Sequence, residues 1–285
     1  MGVPYAEVIG DPIAHSKSPI IHGFWLEKLG IVGDYRRTLV SRGELPAFLA
    51  ARRADPDWRG CNLTMPHKQD VLALLGAVDP AAARIGAVNT VVAGGVAPET
   101  GFNTDAAGFL EPLAPLLAQR HLFKMARVLG AGGAARAIAD ALRGAGFALV
   151  IAARRIEEAQ RLVDGHDPDF NHAVALEHFA APTDFRFDDR SGILDLVVNT
   201  TPLGMAGKPP LALDFSHVPP GAVIYDIVYD PLETPLLAEA RARGHQVIDG
   251  LSMLIGQAAI AFEHFFGAPA PRQYDAELRE RLTRC

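Results

Sequence analysis

The sequence predicts an α/β protein built from two α/β domains, the second of them Rossmann-like. Three observations predict this. Short β-branched or apolar runs alternate along the chain with longer stretches of helical pattern, as in βαβ units around an open parallel sheet. Several of the short runs are apolar without interruption, the pattern of strands buried on both faces. A glycine-rich segment, VLGAGGAARA, lies between one such strand and a helix, where a phosphate-binding turn belongs.

The elements follow in order. YAEVIG (Tyr5–Gly10) reads as a strand and DPIAHSKSP as a loop. SPIIHGFWLEKLG reads as a helix, with Ser18 as N-cap, Pro19 at the first position and Gly30 as the stop. DYRRTLV is a second strand, and SRGELPAFLAARR opens a helix with Ser41 and Glu44 in capping-box spacing. GCNLTM is a third strand, a helix starts near His67, and AVNTVVA is a fourth strand. A second series begins with the strand ARVLG and the small-residue helix AGGAARAIADALRGAG. The strand ALVIAAR, the helix IEEAQRLV and the strands LDLVVNT, AVIYDIV and HQVIDG come next. LSMLIGQAAIAFEHFFG is apolar almost all round, so this helix should be buried. The two series join near Asp105–Gln119, which places the second domain at residues 105–250.

Composition narrows the function. The 285 residues suit one large or two modest domains, and 49% are hydrophobic, enough for real cores. A net charge of −6 without a run of one sign argues against a nucleic-acid partner, which wants a basic face. No apolar run is long enough to span a bilayer, and the N-terminal residues lack the basic-then-apolar pattern of a secretory leader. Cys61 and Cys285 are far apart and form no disulfide framework or zinc spacing. A cytoplasmic protein is expected. No His/Asp/Glu group has metal spacing, so no metal is expected.

The glycine segment carries Gly130, Gly132 and Ala135 as G-x-G-x-x-A directly after a strand. Backbone without side chains can approach a pyrophosphate, and free N–H groups at the helix start bind its charge. The competing reading is a tight turn with close helix packing. An NAD-preferring site ends its second strand with an acid that accepts from the ribose. Here Ala153 stands there, followed by Arg154 and Arg155. Two guanidinium groups suit a 2′-phosphate, so NADP is the expected cofactor. The competing reading leaves these arginines solvated, and Glu157 and Glu158 close by weigh towards it.

The segment NLTMPHKQD places Thr64 four residues before Lys68. A free lysine, with a pKa of about 10.4, is a poor base near neutral pH, but its surroundings can tune it for proton transfer. Asp105, in GFNTDAAGF, is the candidate carboxylate to orient it. Taken alone, Lys68 reads better as a surface lysine and Asp105 as an ordinary helix N-cap. His67 reads as packing or substrate-shaping rather than acid/base, and Cys61 as a small core residue.

Together the segments GDPIAHSKSP, NLTMPHK, GAVNT, GFNTD, GAGGAAR, NTTPLGM, YDIVYDPLETPLL and DGLSMLIGQAA resemble, almost end to end, the shikimate dehydrogenases of the shikimate/quinate dehydrogenase family. The resemblance implies two α/β domains with a cleft between them. An N-terminal substrate domain (1–104 plus 251–285) would stand beside an NADP-binding domain (105–250). It implies reversible, NADP-dependent reduction of 3-dehydroshikimate to shikimate, with Lys68 and Asp105 as catalytic residues. Ser16 and Ser18 would bind the substrate carboxylate. Thr64, Lys68, Asn89, Asp105, Tyr229 and Gln257 would meet the rest of the substrate. On the cofactor side the resemblance implies Gly130, Ala131, Gly132, Gly133 and Ala134, then Arg154 and Arg155, Thr200 and Thr201, Ile227, Gly250 and Met253.

One departure stands out. The family pattern after the second strand is Asn-Arg-Ser/Thr with another arginine three positions on, whereas this chain has Ala153-Arg154-Arg155 and then Glu158. Strict preference for NADP over NAD is left open, as is a quinate/shikimate dehydrogenase with relaxed substrate use. A non-catalytic ligand sensor on the same fold is the rival from another class. A monomer or homodimer acting on a small molecule, with no nucleic-acid or membrane partner, completes the expectation.

Overall fold

A computed structural model describes residues 2–95 and 98–284; Cys285 lies outside the described residues. The chain divides into two compact units, Met1–Asp105 with Ile255–Cys285, and Ala106–Leu254.

The first unit contains a six-stranded sheet of β1 (Tyr5–Gly10), β2 (Asp34–Leu39), β3 (Trp58–Leu63), β4 (Ala77–Val78), β5 (Thr90–Val92) and β6 (Thr100–Phe102), in the order β2-β1-β3-β5-β6-β4. It is mixed rather than all parallel. β1 pairs in parallel with β2 and β3, but β5 runs antiparallel to both β3 and β6. A short loop joins β5 to β6, and adjacent strands joined so closely must run antiparallel. The two-residue β4 and three-residue β6 escape the sequence pattern because they are too short to show a period.

Both faces of this sheet are covered. Ile9, Leu63 and Val91 pack with Leu45, Leu49 and Val71 on one side. Ala6, Val8 and Tyr35 pack with Ala261 and Phe265 on the other. Burying each such large side chain contributes about 1.5–3 kcal/mol. The helix Ser18–Leu29 stops at Gly30, which takes φ +63 in the left-handed region, as a glycine stop should. Its N-cap is Lys17 rather than Ser18. Ser18 lies inside the first turn, with its hydroxyl 3.3 Å from that of Ser16. Glu44 accepts from the backbone N–H of Ser41 at 2.8 Å, closing the expected box around a short 3₁₀ turn before the helix Leu45–Arg53.

The second unit contains β7 (Phe123–Leu129), β8 (Ala148–Ala153), β9 (Asn171–Ala175), β10 (Ile193–Asn199), β11 (Val223–Asp226) and β12 (Gln246–Ile248). All pair in parallel in the order β12-β11-β10-β7-β8-β9. Counted within the unit, that is the 3-2-1-4-5-6 order of a Rossmann sheet, whose order reverses between β7 and β10. Val128, Ile151, Leu196 and Val198 fill its core with Ile138 and Leu142 of the helix Gly133–Gly144. The half-buried β9 (NHAVA) opens with two polar residues and carries only three apolar ones, too short a run to mark it as a strand in the sequence.

Candidate functional site

Parallel pairing gathers the first unit's polar residues at one sheet edge. β1 and β3 both run toward it, so the serine loop after Gly10 and the Thr64–Lys68 segment after Leu63 emerge side by side. Asp11 N–H donates to Met65 O at 2.9 Å, and a Cβ on Gly10 would lie 2.4 Å from Thr64 Cγ2. Because β5 is reversed, its start carries Asn89 to the same edge, where Leu63 N–H donates to Asn89 O at 2.8 Å. β6 runs back toward it and delivers Asn103–Asp105, with Asn89 N–H donating to Phe102 O at 3.0 Å.

At that edge Lys68 Nζ donates to Asp105 Oδ2 at 2.5 Å. Both side chains are largely out of solvent, at 17% and 5% exposure. Asp105 Oδ1 accepts from Asn89 Nδ2 at 2.8 Å, and Asn89 Nδ2 also donates to Thr104 Oγ1 at 2.9 Å. Asn89 Oδ1 accepts from Thr104 N–H at 2.8 Å. Asp105 opens the helix Asp105–Leu110, and its carboxylate accepts from both Asn89 and Lys68. His67 is buried, with Nε2 2.7 Å from Val40 O. Gln257 is buried in the helix Gly250–Phe266. Lys17, between the two serines, donates to Leu282 O at 2.6 Å and ties the serine loop to the C-terminal helix Asp275–Thr283.

The second unit presents its own edge at the carboxyl ends of its strands. Gly130, just after β7, takes φ +122; a Cβ there would lie 2.3 Å from Thr200 Oγ1. Thr200, at the end of β10, donates through both its N–H and its Oγ1 to Leu129 O at 2.8 Å. The glycine loop therefore sits at the reversal point of the sheet, where ligands of such sheets bind. Gly132 caps the helix Gly133–Gly144 with ordinary φ −79, and a Cβ added there would meet nothing within 4 Å. Open space over a helix N-terminus fits a dinucleotide pyrophosphate.

Asn199, absent from the residues expected on sequence grounds, organises this edge. Its Oδ1 accepts from Thr201 N–H and Oγ1 at 3.0 and 2.7 Å. Its Nδ2 donates to Asp226 Oδ1 at 2.9 Å. Asp226, at the end of β11, also accepts from Val228 N–H at 3.0 Å and Thr234 Oγ1 at 2.7 Å. Burial pushes its carboxyl up to about 6, although these hydrogen bonds pull the other way. The clue in the sequence is a polar residue closing each of two apolar strands.

Gly250 has a packing reason: a Cβ would lie 2.4 Å from the carbonyl oxygens of Ile227 and Val228. Met253 is buried in the same core, and Ile227 packs against it half-buried. Arg154 and Arg155 are exposed after β8, and Arg155 is paired with Glu158. Ala131, Gly133 and Ala134 are half-buried around the helix start. Tyr229 lies half-buried in the loop after β11.

The family model for the shikimate dehydrogenase substrate binding domain matches residues 8–91, and that for the shikimate 5′-dehydrogenase C-terminal domain matches residues 250–277. The chain is 50% identical over 283 residues to a shikimate dehydrogenase (NADP(+)) of Sphingopyxis alaskensis, covering 98% of this chain and 97% of that one.

This chain belongs to the shikimate dehydrogenase family.

Solved structures of shikimate dehydrogenase relatives share its fold. A shikimate 5-dehydrogenase from Thermus thermophilus, in complex with NADP(H) and shikimate, superposes with a TM-score of 0.81 at 38% identity. The match covers 98% of this chain and 99% of that one. A quinate dehydrogenase from Corynebacterium glutamicum, in complex with NAD, also gives 0.81, at 33% identity and with the same coverage. Among the described residues no cluster of His, Cys, Asp and Glu could hold a metal, and no helix is long and apolar enough to cross a membrane.

Proposed function

We propose that this chain catalyses the reversible, NADP-dependent reduction of 3-dehydroshikimate to shikimate, with Lys68 as the proton-transfer group and Asp105 as its partner. The observation that carries this reading is the 2.5 Å contact between Lys68 Nζ and Asp105 Oδ2, two residues 37 positions apart in sequence. NADP supplies the hydride acceptor or donor when bound, and this chain's residues supply the rest. In the reducing direction Lys68 Nζ gives a proton to the carbonyl oxygen; in the oxidising direction it takes the hydroxyl proton. Asp105 holds the ammonium in place and is itself held by Asn89.

Ser16 and Ser18 bind the substrate carboxylate. Their hydroxyls lie 3.3 Å apart, a spacing at which both can reach one anion. Thr64, Asn89, Tyr229 and Gln257 pair with the ring substituents, and a site built to bond a hydroxyl rejects analogues that lack it. Gly130–Ala134 bind the pyrophosphate at the helix start, and Thr200, Thr201, Ile227, Gly250 and Met253 shape the remaining cofactor site. In this reading residues 1–104 with 251–285 form the substrate domain and 105–250 the NADP domain. The protein works as a cytoplasmic monomer or homodimer.

A second reading is a quinate/shikimate dehydrogenase with relaxed cofactor use. It is favoured by the pairing of Arg155 with Glu158, which engages one of the two guanidinium groups expected to meet the 2′-phosphate. A steady-state matrix of shikimate and quinate against NADP and NAD separates the two. Highest kcat/KM for shikimate with NADP supports the first, and comparable NAD use supports the second. No turnover in any cell of the matrix overturns both.

A further inference from the structure

We propose that Tyr35, Asn62 and Thr90 are positioning residues that hold the Lys68–Asp105 pair through a one-directional chain of buried hydrogen bonds. The proposal rests on the reading of Lys68 and Asp105 as the proton-handling pair.

The chain starts at β2, where the Tyr35 hydroxyl donates to Asn62 Oδ1 at 2.5 Å. Asn62, in β3, donates from Nδ2 to Thr90 Oγ1 at 2.9 Å. Thr90, the first residue of β5, donates to Asn89 Oδ1 at 2.9 Å. Asn89 Nδ2 then donates to Asp105 Oδ1, leaving Asp105 Oδ2 for Lys68. Every residue from Tyr35 to Asp105 in this chain of bonds is buried.

Each link dictates the next. Asn62 Nδ2 also donates to the Asn89 backbone carbonyl at 3.3 Å, and a carbonyl can only accept, so Asn62 turns its NH₂ to Asn89 and Thr90 and its oxygen to the Tyr35 hydroxyl. Thr90 accepts from Asn62 and directs its single proton to Asn89. Asn89 must then present oxygen to Thr90 and NH₂ to Asp105. The Thr104 N–H, which donates to the same Asn89 oxygen, enforces that orientation independently. An asparagine turned the other way would set its oxygen against the Asp105 carboxylate. Buried polar groups left unpaired are costly, so the correct orientation is strongly selected. At the far end the Tyr35 ring is clamped by His22, stacked 3.9 Å away and parallel to within 1°.

The test compares Thr90→Val, which removes the hydroxyl at nearly constant volume, with Thr90→Ser, which keeps it. In Thr90→Val we expect kcat for shikimate oxidation to fall about 10- to 100-fold, the loss typical of a misplaced reacting group, with KM for NADP within about twofold. Thr90→Ser should recover kcat to within about threefold. Tyr35→Phe keeps the stacked ring and removes the first donor; it should lower kcat in the same sense by a smaller factor, and it serves if Thr90→Val does not fold.

A second readout needs no turnover. Exchange of the Asn89 side-chain amide protons, followed by NMR on the ¹⁵N-labelled chain, should be slow in the parent and Thr90→Ser. In Thr90→Val it should be at least about tenfold faster. Parent protein inactive on shikimate would remove the functional reading, while the exchange comparison would still decide the network. Thr90→Val with unchanged kcat, Thr90→Ser as slow as Thr90→Val, or unchanged Asn89 exchange would overturn the proposal.

Discussion

Lys68 and Asp105 meet through a 2.5 Å hydrogen bond although they come from different β-connections, one following β3 and the other following β6. The contact exists because β5 is reversed, which brings the end of β6 to the edge where β3 also ends.

Replacing Lys68 by Ala should therefore lower kcat by about 10²- to 10⁴-fold while leaving shikimate KM within a few-fold, the range expected for losing a general acid–base group. Asp105→Asn should raise KM and lower kcat together, because it removes the charge that orients Lys68 while Asn89 still needs an acceptor. Steady-state kinetics measure both, and undiminished turnover in Lys68→Ala would eliminate it as the proton-transfer group.

The glycines of the turn after β7 should separate fold from ligand. Gly130→Ala forces a side chain onto φ +122 and into Thr200 Oγ1, so it should destabilise the protein by about 1–3 kcal/mol as well as weaken NADP binding. Gly132→Ala meets ordinary φ and open space, so its unfolding midpoint should stay within about 2 °C of the parent. Its NADP Kd should nonetheless rise at least about tenfold, because the methyl occupies the approach of the pyrophosphate. Thermal unfolding and fluorescence titration of the two variants provide the comparison; equal NADP affinity in Gly132→Ala and parent would mean the turn is only structural.

Two buried groups should tilt the stability–pH profile in opposite directions. His22 is fully buried with no hydrogen-bond partner for either ring nitrogen among the described residues, and burial pushes it down to about 3. Below about pH 6.5 the unfolded chain takes up a proton that the fold refuses. Its contribution is thus complete above pH 6.5 and is lost as pH falls toward 3, about 2–3 kcal/mol of it between pH 7.5 and 4.5. Asp226, raised to about 6, behaves oppositely: the fold binds a proton that the unfolded carboxylate releases near 3.9. Its stabilisation is present below about pH 4 and is lost as pH rises through 6, about 2 kcal/mol between pH 4.5 and 7.5. Relative to the parent, His22→Phe should therefore gain stability as pH falls. Asp226→Asn should lose it as pH falls. Urea unfolding at several pH values tests both, and parallel profiles for the two variants would refute the assignment.

Much of this molecule is readable from its residues alone. Long apolar strands such as Ile193–Asn199 and strongly patterned helices such as Ile156–Val163 carry their own period, and the turn at Gly130–Gly133 declares itself by glycine spacing between strand and helix. Pairs that touch across the fold are legible only as residue types. Asn62, Thr90 and Asn199 look like ordinary polar residues at strand ends until the strands are placed.

The sequence by itself determined the α/β class, the glycine turn and the identities of the groups able to bind an anion or move a proton, because these follow from local pattern and side-chain chemistry. The tertiary structure alone decided that β5 runs backward and that Asn89 faces Asp105. It also decided that His22 and Asp226 are fully buried. Those outcomes depend on strand direction, register and burial, which arise from contacts between residues far apart in the chain and leave no mark in any short window of it.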